Sequence, residues 1–147
     1  MESYNFTFTN SELVRVIKTE RNLRNAIAVS VLFSIFFSGL GPLNIVRLAL
    51  FAWWSIAVYK SAKAQKKNAN FYLVIQILPF IVGLLVALFK IERSIALIAL
   101  IGSGIIALAL TISLIYSASG ILKKNGVKAG FWGVKKAELE RLTSTST

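Results

Sequence analysis

Residues 25–59 read NAIAVSVLFSIFFSGLGPLNIVRLALFAWWSIAVY, with Arg47 the one charge and no carboxylate. One straight helix of this length would reach about 52 Å, against roughly 30 Å of bilayer hydrocarbon. Gly39-Leu40-Gly41-Pro42 interrupts the run. Proline suits the first turn of a new helix and is poorly accommodated inside an old one. The stretch therefore predicts a hairpin, with a first span over 22–40 and a second over 43–60.

Working outward, Lys60-Ser61-Ala62-Lys63-Ala64-Gln65-Lys66-Lys67 reads as a basic connector. Two further apolar runs predict spans over 71–89 and 95–118, joined by the short turn Lys90-Ile91-Glu92-Arg93-Ser94. The expected fold is an all-α integral membrane protein. It has four transmembrane helices arranged as two hairpins, an N-terminal amphipathic helix and a basic C-terminal tail. The predicted segments are 1–21, 22–118 and 119–147.

Composition agrees. The 147 residues are 56% hydrophobic and 16% charged, with a mean hydropathy of +0.69. Soluble domains average roughly 45–50% apolar and about 25% charged residues. With four spans, the N-terminal segment, the connector and the tail lie on one side and carry fourteen of the seventeen basic residues. Such a bias predicts that both termini are cytoplasmic, in a bacterial inner membrane or an equivalent bilayer. The first 22 residues are polar and include Glu2, Glu12 and Glu20, so the first apolar run is expected to be a permanent span and not a cleaved signal.

Local signals precede the first span. Tyr4-Asn5-Phe6-Thr7-Phe8-Thr9 alternates aromatic and polar residues, and Thr9-Asn10-Ser11-Glu12 has the form of a capping box. Leu13, Val16 and Ile17 share one face of the helix expected over 10–22. That helix either lies on the membrane surface or leads into the first span. Asn5-Phe6-Thr7 matches a glycosylation sequon, which a cytoplasmic N-terminus leaves unused. The closing Thr-Ser-Thr-Ser-Thr run is expected to be disordered.

No Asp or Glu falls within the four predicted spans. Proton- and cation-coupled transport often uses such a carboxylate, so coupled transport is not expected. Small residues recur at a spacing of four: Ala26, Ser30, Ser34 and Ser38 in the first span, Gly83 and Ala87 in the third, and Ala99, Ser103, Ala107 and Thr111 in the fourth. This spacing lets helix backbones approach closely, so these faces are expected to pack against protein; a hydrated path along the serines is the sharper alternative. Gln76 is the one amide well inside a span. It sits three residues before Pro79 and is expected to make a polar contact within the membrane. Arg47 is expected to snorkel to headgroups, with pairing to Glu92 as the alternative. Trp53 and Trp54 lie nearly mid-span, where burial against a partner or a neighbouring helix accounts for them better than an interfacial position. Phe131-Trp132, among lysines, reads as a membrane-surface anchor or a partner contact.

The chemistry is bounded by what is missing. There is no cysteine and no histidine. That removes disulfides, Cys- or His-ligated zinc, iron–sulfur clusters and His-ligated haem. Phosphate loops, nucleophile elbows and metalloprotease motifs are absent as well. No catalysis, cofactor or metal is expected. The net charge of +11 raises nucleic acid as a partner. Flanks of membrane spans already carry such charge, so none is expected. Lys60, Lys63, Lys66, Lys67, Lys123, Lys124 and Lys128 are instead expected to meet anionic lipid headgroups or an acidic partner. The functional expectation is a structural or accessory subunit of a membrane complex or homo-oligomer. The alternatives are a homo-oligomeric channel, and an immunity or defence protein against a membrane-active toxin or phage component.

Overall fold

The computed structural model describes residues 8–36, 45–89, 92–130 and 133–144. Helix α1 covers Asn10–Phe36, α2 Ile45–Ala64, α3 Ala69–Phe89 and α4 Arg93–Lys124. A two-stranded hairpin of β1 (Ala129–Gly130) and β2 (Gly133–Val134) follows, then α5 over Lys136–Ser144. Among the described residues, three helical segments are long and apolar enough to cross a membrane: Ile45–Ala64, Ala69–Val86 and Leu97–Lys124.

Local chemistry sets the helix ends. The Thr9 amide donates to Glu12 Oε2 at 2.9 Å, and the Glu12 amide donates to Thr9 Oγ1 at 3.3 Å. Thr9 and Glu12 thus close the reciprocal capping box. The expected surface helix and first span are one continuous helix, α1, which is about 40 Å long at 1.5 Å per residue. Asn68 caps α3 by accepting from the Phe71 amide at 3.2 Å.

Helices α2 and α4 end in the same way. The Lys67 amide donates to the Ala62 carbonyl, and Lys66 to that of Lys63, with Lys66 left-handed at φ 57°. The Val127 amide donates to the Leu122 carbonyl, and Gly126 to that of Lys123, with Gly126 at φ 74°. Both are Schellman motifs, which satisfy the last carbonyls and reverse the chain. The residues 60–64, expected in a connector, are therefore the last turns of α2. Helix α4 runs six residues beyond the expected end at 118.

Packing is sequential, α1 on α2, α2 on α3 and α3 on α4, with the C-terminal end of α4 returning to α1. Two apolar clusters sit at one end of the molecule. One joins Leu23 and Ala26 of α1 to Ala57, Val58 and Ala62 of α2 and Leu114 of α4, with Trp53 and Trp54 packed against it. The other joins Leu13, Val16 and Ile17 of α1 to Ala64, Ala118, Leu122, Val127, Val134 and Leu142. The segment expected as a basic tail is folded over its described residues: the end of α4, the hairpin and α5 close a cap over the first half of α1. Residues 145–147 lie outside the described residues.

At the opposite end the helices are thinly covered. Leu84, Leu88 and Phe89 of α3 and Ile95, Ile98, Ile101 and Ile105 of α4 are exposed. The molecule thus has a folded cap with a mixed polar and apolar interior, and a stem whose outer faces are apolar.

Candidate functional site

The basic residues gather around the cap. Lys60 and Lys63 are exposed on the last turns of α2, Lys123 and Lys124 are exposed in the last turn of α4, and Lys128 is exposed just beyond. Cations at helix C-termini offset the helix dipole, which gives Lys63, Lys123 and Lys124 a structural use as well. Lys66 is engaged within the chain. Its Nζ lies 2.9 Å from Glu12 Oε1 and 4.8 Å from the centre of the Phe8 ring. Lys67 Nζ lies 5.8 Å from the Tyr72 ring centre.

The Lys66 ammonium and the Thr9 backbone amide hold the Glu12 carboxyl below its ordinary value of 4.5. A carboxyl lowered on folding stabilises the fold above its unfolded pKa. That contribution fades as pH drops below 4.5 through the lowered value.

Beneath the lysines lies a buried polar layer. Glu20 is 1% exposed. Arg24 Nε and Nη2 donate to Glu20 Oε1 at 2.8 and 2.6 Å. Gly133, at φ 97°, lies over this pair, and a Cβ there would be in ordinary contact with Glu20 Oε2 at 3.9 Å. Buried Gln65 donates through Nε2 to Ser61 Oγ at 3.1 Å and to the Leu114 carbonyl at 3.0 Å, which ties α2 to α4. Trp53 Nε1 donates to Asn22 Oδ1 at 3.2 Å, which ties α2 to α1. Glu20, Gln65, Asn22 and Trp53 were not singled out by sequence as polar cross-links. The one available signal was the Glu20–Arg24 spacing of four on a helix.

The small-residue positions fall in several environments. Ala26 is buried in the α1–α2 cluster. Ser30 is half-buried beside a cavity that Arg47 also lines. Gly83 faces α4, where an added Cβ would meet Leu100 Cδ2 at 3.6 Å. On α4, Ser103, Ala107 and Thr111 are buried, while Ala99 is exposed. The buried face of α4 continues through Leu114, Ala118 and Leu122, all at zero exposure. Ser38 and the side chains of Ser34 and Ala87 lie outside the described residues, as does the Phe131-Trp132 pair.

Gln76 is buried on α3, and its Oε1 lies 3.4 Å from Thr111 Oγ1 on α4. The single Thr111 hydroxyl proton has a shorter acceptor in the Ala107 carbonyl at 2.8 Å. Ser103 Oγ donates to the Leu100 carbonyl at 3.0 Å. Ser103 and Thr111 of the stem thus have partners inside the chain. No group of three or more potential metal-ligating side chains occurs among the described residues.

Comparison with protein-family models, with curated proteins and with solved structures finds no match.

Proposed function

We propose that this chain is a non-enzymatic integral membrane protein of four spans. It acts as a structural or accessory subunit that packs with copies of itself or within a larger membrane complex. Its folded cap and both termini lie on the cytoplasmic side of a bacterial inner membrane or an equivalent bilayer.

The observation that carries this reading is the division of the stem into two faces. One face of α4 is buried from Ser103 to Leu122, Ser103 and Thr111 donate to carbonyls of their own helix, and buried Gln76 lies beside Thr111. The other face exposes isoleucine and leucine from Ile95 to Ile112. Apolar surface on this scale belongs against lipid or against another apolar protein.

Chain geometry supports the fourth span. The first half of α1 and the end of α4 share the cap core through Val16 and Leu122. They therefore lie on one side of the bilayer. Helix α2 ends at the cap, so its start at Ile45 lies about 29 Å away, at the far side. The chain between Leu23 and Ile45 must make that crossing, and α1 runs alongside α2 in that direction.

Purification of the full chain in mild detergent, followed by mass measurement of the particle, tests the assembly reading. A homo-oligomer or a heteromeric particle is expected. A detergent-bound monomer without companions, at every protein concentration and in native-lipid extracts, contradicts it.

The exposed lysines also support recognition of anionic lipid or an acidic partner. Each basic residue beside an anionic leaflet contributes on the order of 1 kcal/mol. Changing Lys60, Lys63, Lys123, Lys124 and Lys128 together to glutamine is expected to reduce retention of anionic lipid or partner, with added salt giving the same loss in the parent. Unchanged retention at low salt, with orientation intact, would leave the lysines with a topological role alone.

A further inference from the structure

The outer face of α4 changes character along its length. Toward the far end it is apolar, with Ile98, Ile105 and Ile106 exposed. Toward the cap it carries Tyr116, Ser117, Gly120, Lys123 and Lys124. At 3.6 residues per turn these positions share a sector of about 120°. The buried residues Leu114, Ala118 and Leu122 lie on the opposite side. Tyr116 is 75% exposed, Ser117 and Gly120 are half-buried, and both lysines are exposed.

Levels along the helix follow from its rise. A hydrocarbon layer of roughly 30 Å takes about 20 residues. Counted back from Tyr116, that length reaches the first turn of α4 and contains no charged residue. Tyrosine is favoured where membrane meets water, so Tyr116 marks the inner boundary. Gly120 then lies about 6 Å and Lys124 about 12 Å beyond it, across the headgroup layer. Helical side chains lean toward the helix N-terminus, which brings the Gly120 turn within reach of Lys123 and Lys124.

Gly120 stands inside a helix, where glycine is disfavoured. No neighbour requires its small size, because an added Cβ would meet nothing within 4 Å. Its effect is a notch between a phenol and two ammonium groups. Among the described residues, the Tyr116 and Ser117 side chains make no hydrogen bond and neither lysine is ion-paired.

A phospholipid presents the complementary groups in the same order. Its acyl chains match the isoleucines, its ester carbonyls accept from the hydroxyls, and its phosphodiester suits the notch beneath the lysines. An acidic protein segment would match the lysines alone and leave the apolar continuation of the face unused. We propose that this face of α4 holds one anionic phospholipid of the inner leaflet, its phosphate seated at Gly120 between Tyr116 and the Lys123–Lys124 pair. The inference rests on the basic-face reading above and names lipid as the partner and α4 as the site.

Native mass spectrometry of the delipidated full chain tests it. The chain is titrated separately with phosphatidylglycerol, phosphatidylcholine, inorganic phosphate and a soluble poly-glutamate peptide. One phosphatidylglycerol per chain is expected to bind at least tenfold more tightly than phosphatidylcholine. Lys123→Gln with Lys124→Gln is expected to weaken it at least tenfold. Gly120→Leu, which fills the notch and keeps every charge, is expected to weaken it at least fivefold. Lys60→Gln with Lys63→Gln removes equal charge from α2, which packs on the opposite side of α4 through Leu114. That variant is expected to change binding of this lipid less than twofold. Equal losses from the two lysine pairs overturn the site and leave the basic-face reading standing, as does unchanged binding in Gly120→Leu. Phosphatidylcholine held as tightly as phosphatidylglycerol overturns both. Inorganic phosphate or poly-glutamate binding as tightly as phosphatidylglycerol overturns lipid as the occupant.

Discussion

Glu20→Ala is expected to destabilise the cap by about 3 kcal/mol, the lower end of the range for removing one partner of a buried ion pair. The carboxylate is 1% exposed, and Arg24 Nε and Nη2 converge on its Oε1. Alanine removes the acceptor and leaves a space beneath Gly133. Arg24 retains 24% exposure and gains some solvation on relaxing outward, which is why the lower end applies. Glu20→Gln, which keeps shape and one acceptor oxygen, is expected to fall between the two. Thermal unfolding in detergent, followed by near-ultraviolet circular dichroism, provides the measurement. Equal melting of Glu20→Ala and the parent would show that this pair does not stabilise the cap.

Leu122→Ala is expected to cost about 2–5 kcal/mol, as for other large-to-small changes at fully buried sites. Leu122 has zero exposure and stands where α1, α4, the hairpin and α5 meet. Its carbonyl also accepts the Val127 amide that closes the Schellman motif, and Val127 packs in the same cluster. Loss of its side chain therefore loosens α5 from α1 before it affects the stem. Hydrogen exchange resolved by segment is expected to show faster exchange in 136–144 and little change in α3. The neighbouring Lys123→Ala, on an exposed position, is expected to stay within about 0.5 kcal/mol of the parent. Similar exchange in both variants would remove Leu122 from the cap core.

Much of the stem was legible because its signals are local and periodic. Thr9 and Glu12 announced a helix start; the break expected at Gly39-Leu40-Gly41-Pro42 lies outside the described residues, between the end of α1 at Phe36 and the start of α2 at Ile45. The small-residue face of α4 was visible through Ser103, Ala107 and Thr111. Its continuation through Leu114, Ala118 and Leu122 was not read, because the lysines that follow resembled a solvated tail.

The cap was harder for a physical reason. Leu13, Val16 and Ile17 form an apolar stripe that fits a membrane surface or a protein surface equally well. Only the distant Val127, Val134 and Leu142 decide between them, and these three have no helical or alternating period. Two turn signals were nevertheless present in the sequence. Asn125-Gly126 marks the end of α4, and Gly130 and Gly133 are paired across the two strands. Glu20 was read as part of a polar flank, since nothing in its neighbourhood along the chain indicates burial. Gln65 was hidden in the same way, inside a segment that looked like a basic connector.

The account's central claim is four crossings with the folded cap on the inner side, and the natural absence of cysteine makes it directly measurable. Single cysteines at Lys63, Lys128 and Glu92, all exposed positions, are treated in intact cells with a membrane-impermeant maleimide. Labelling of the Glu92 position from outside is expected, with labelling of the Lys63 and Lys128 positions only after the membrane is opened. Labelling of Lys63→Cys or Lys128→Cys in intact cells, with Glu92→Cys protected, would contradict it.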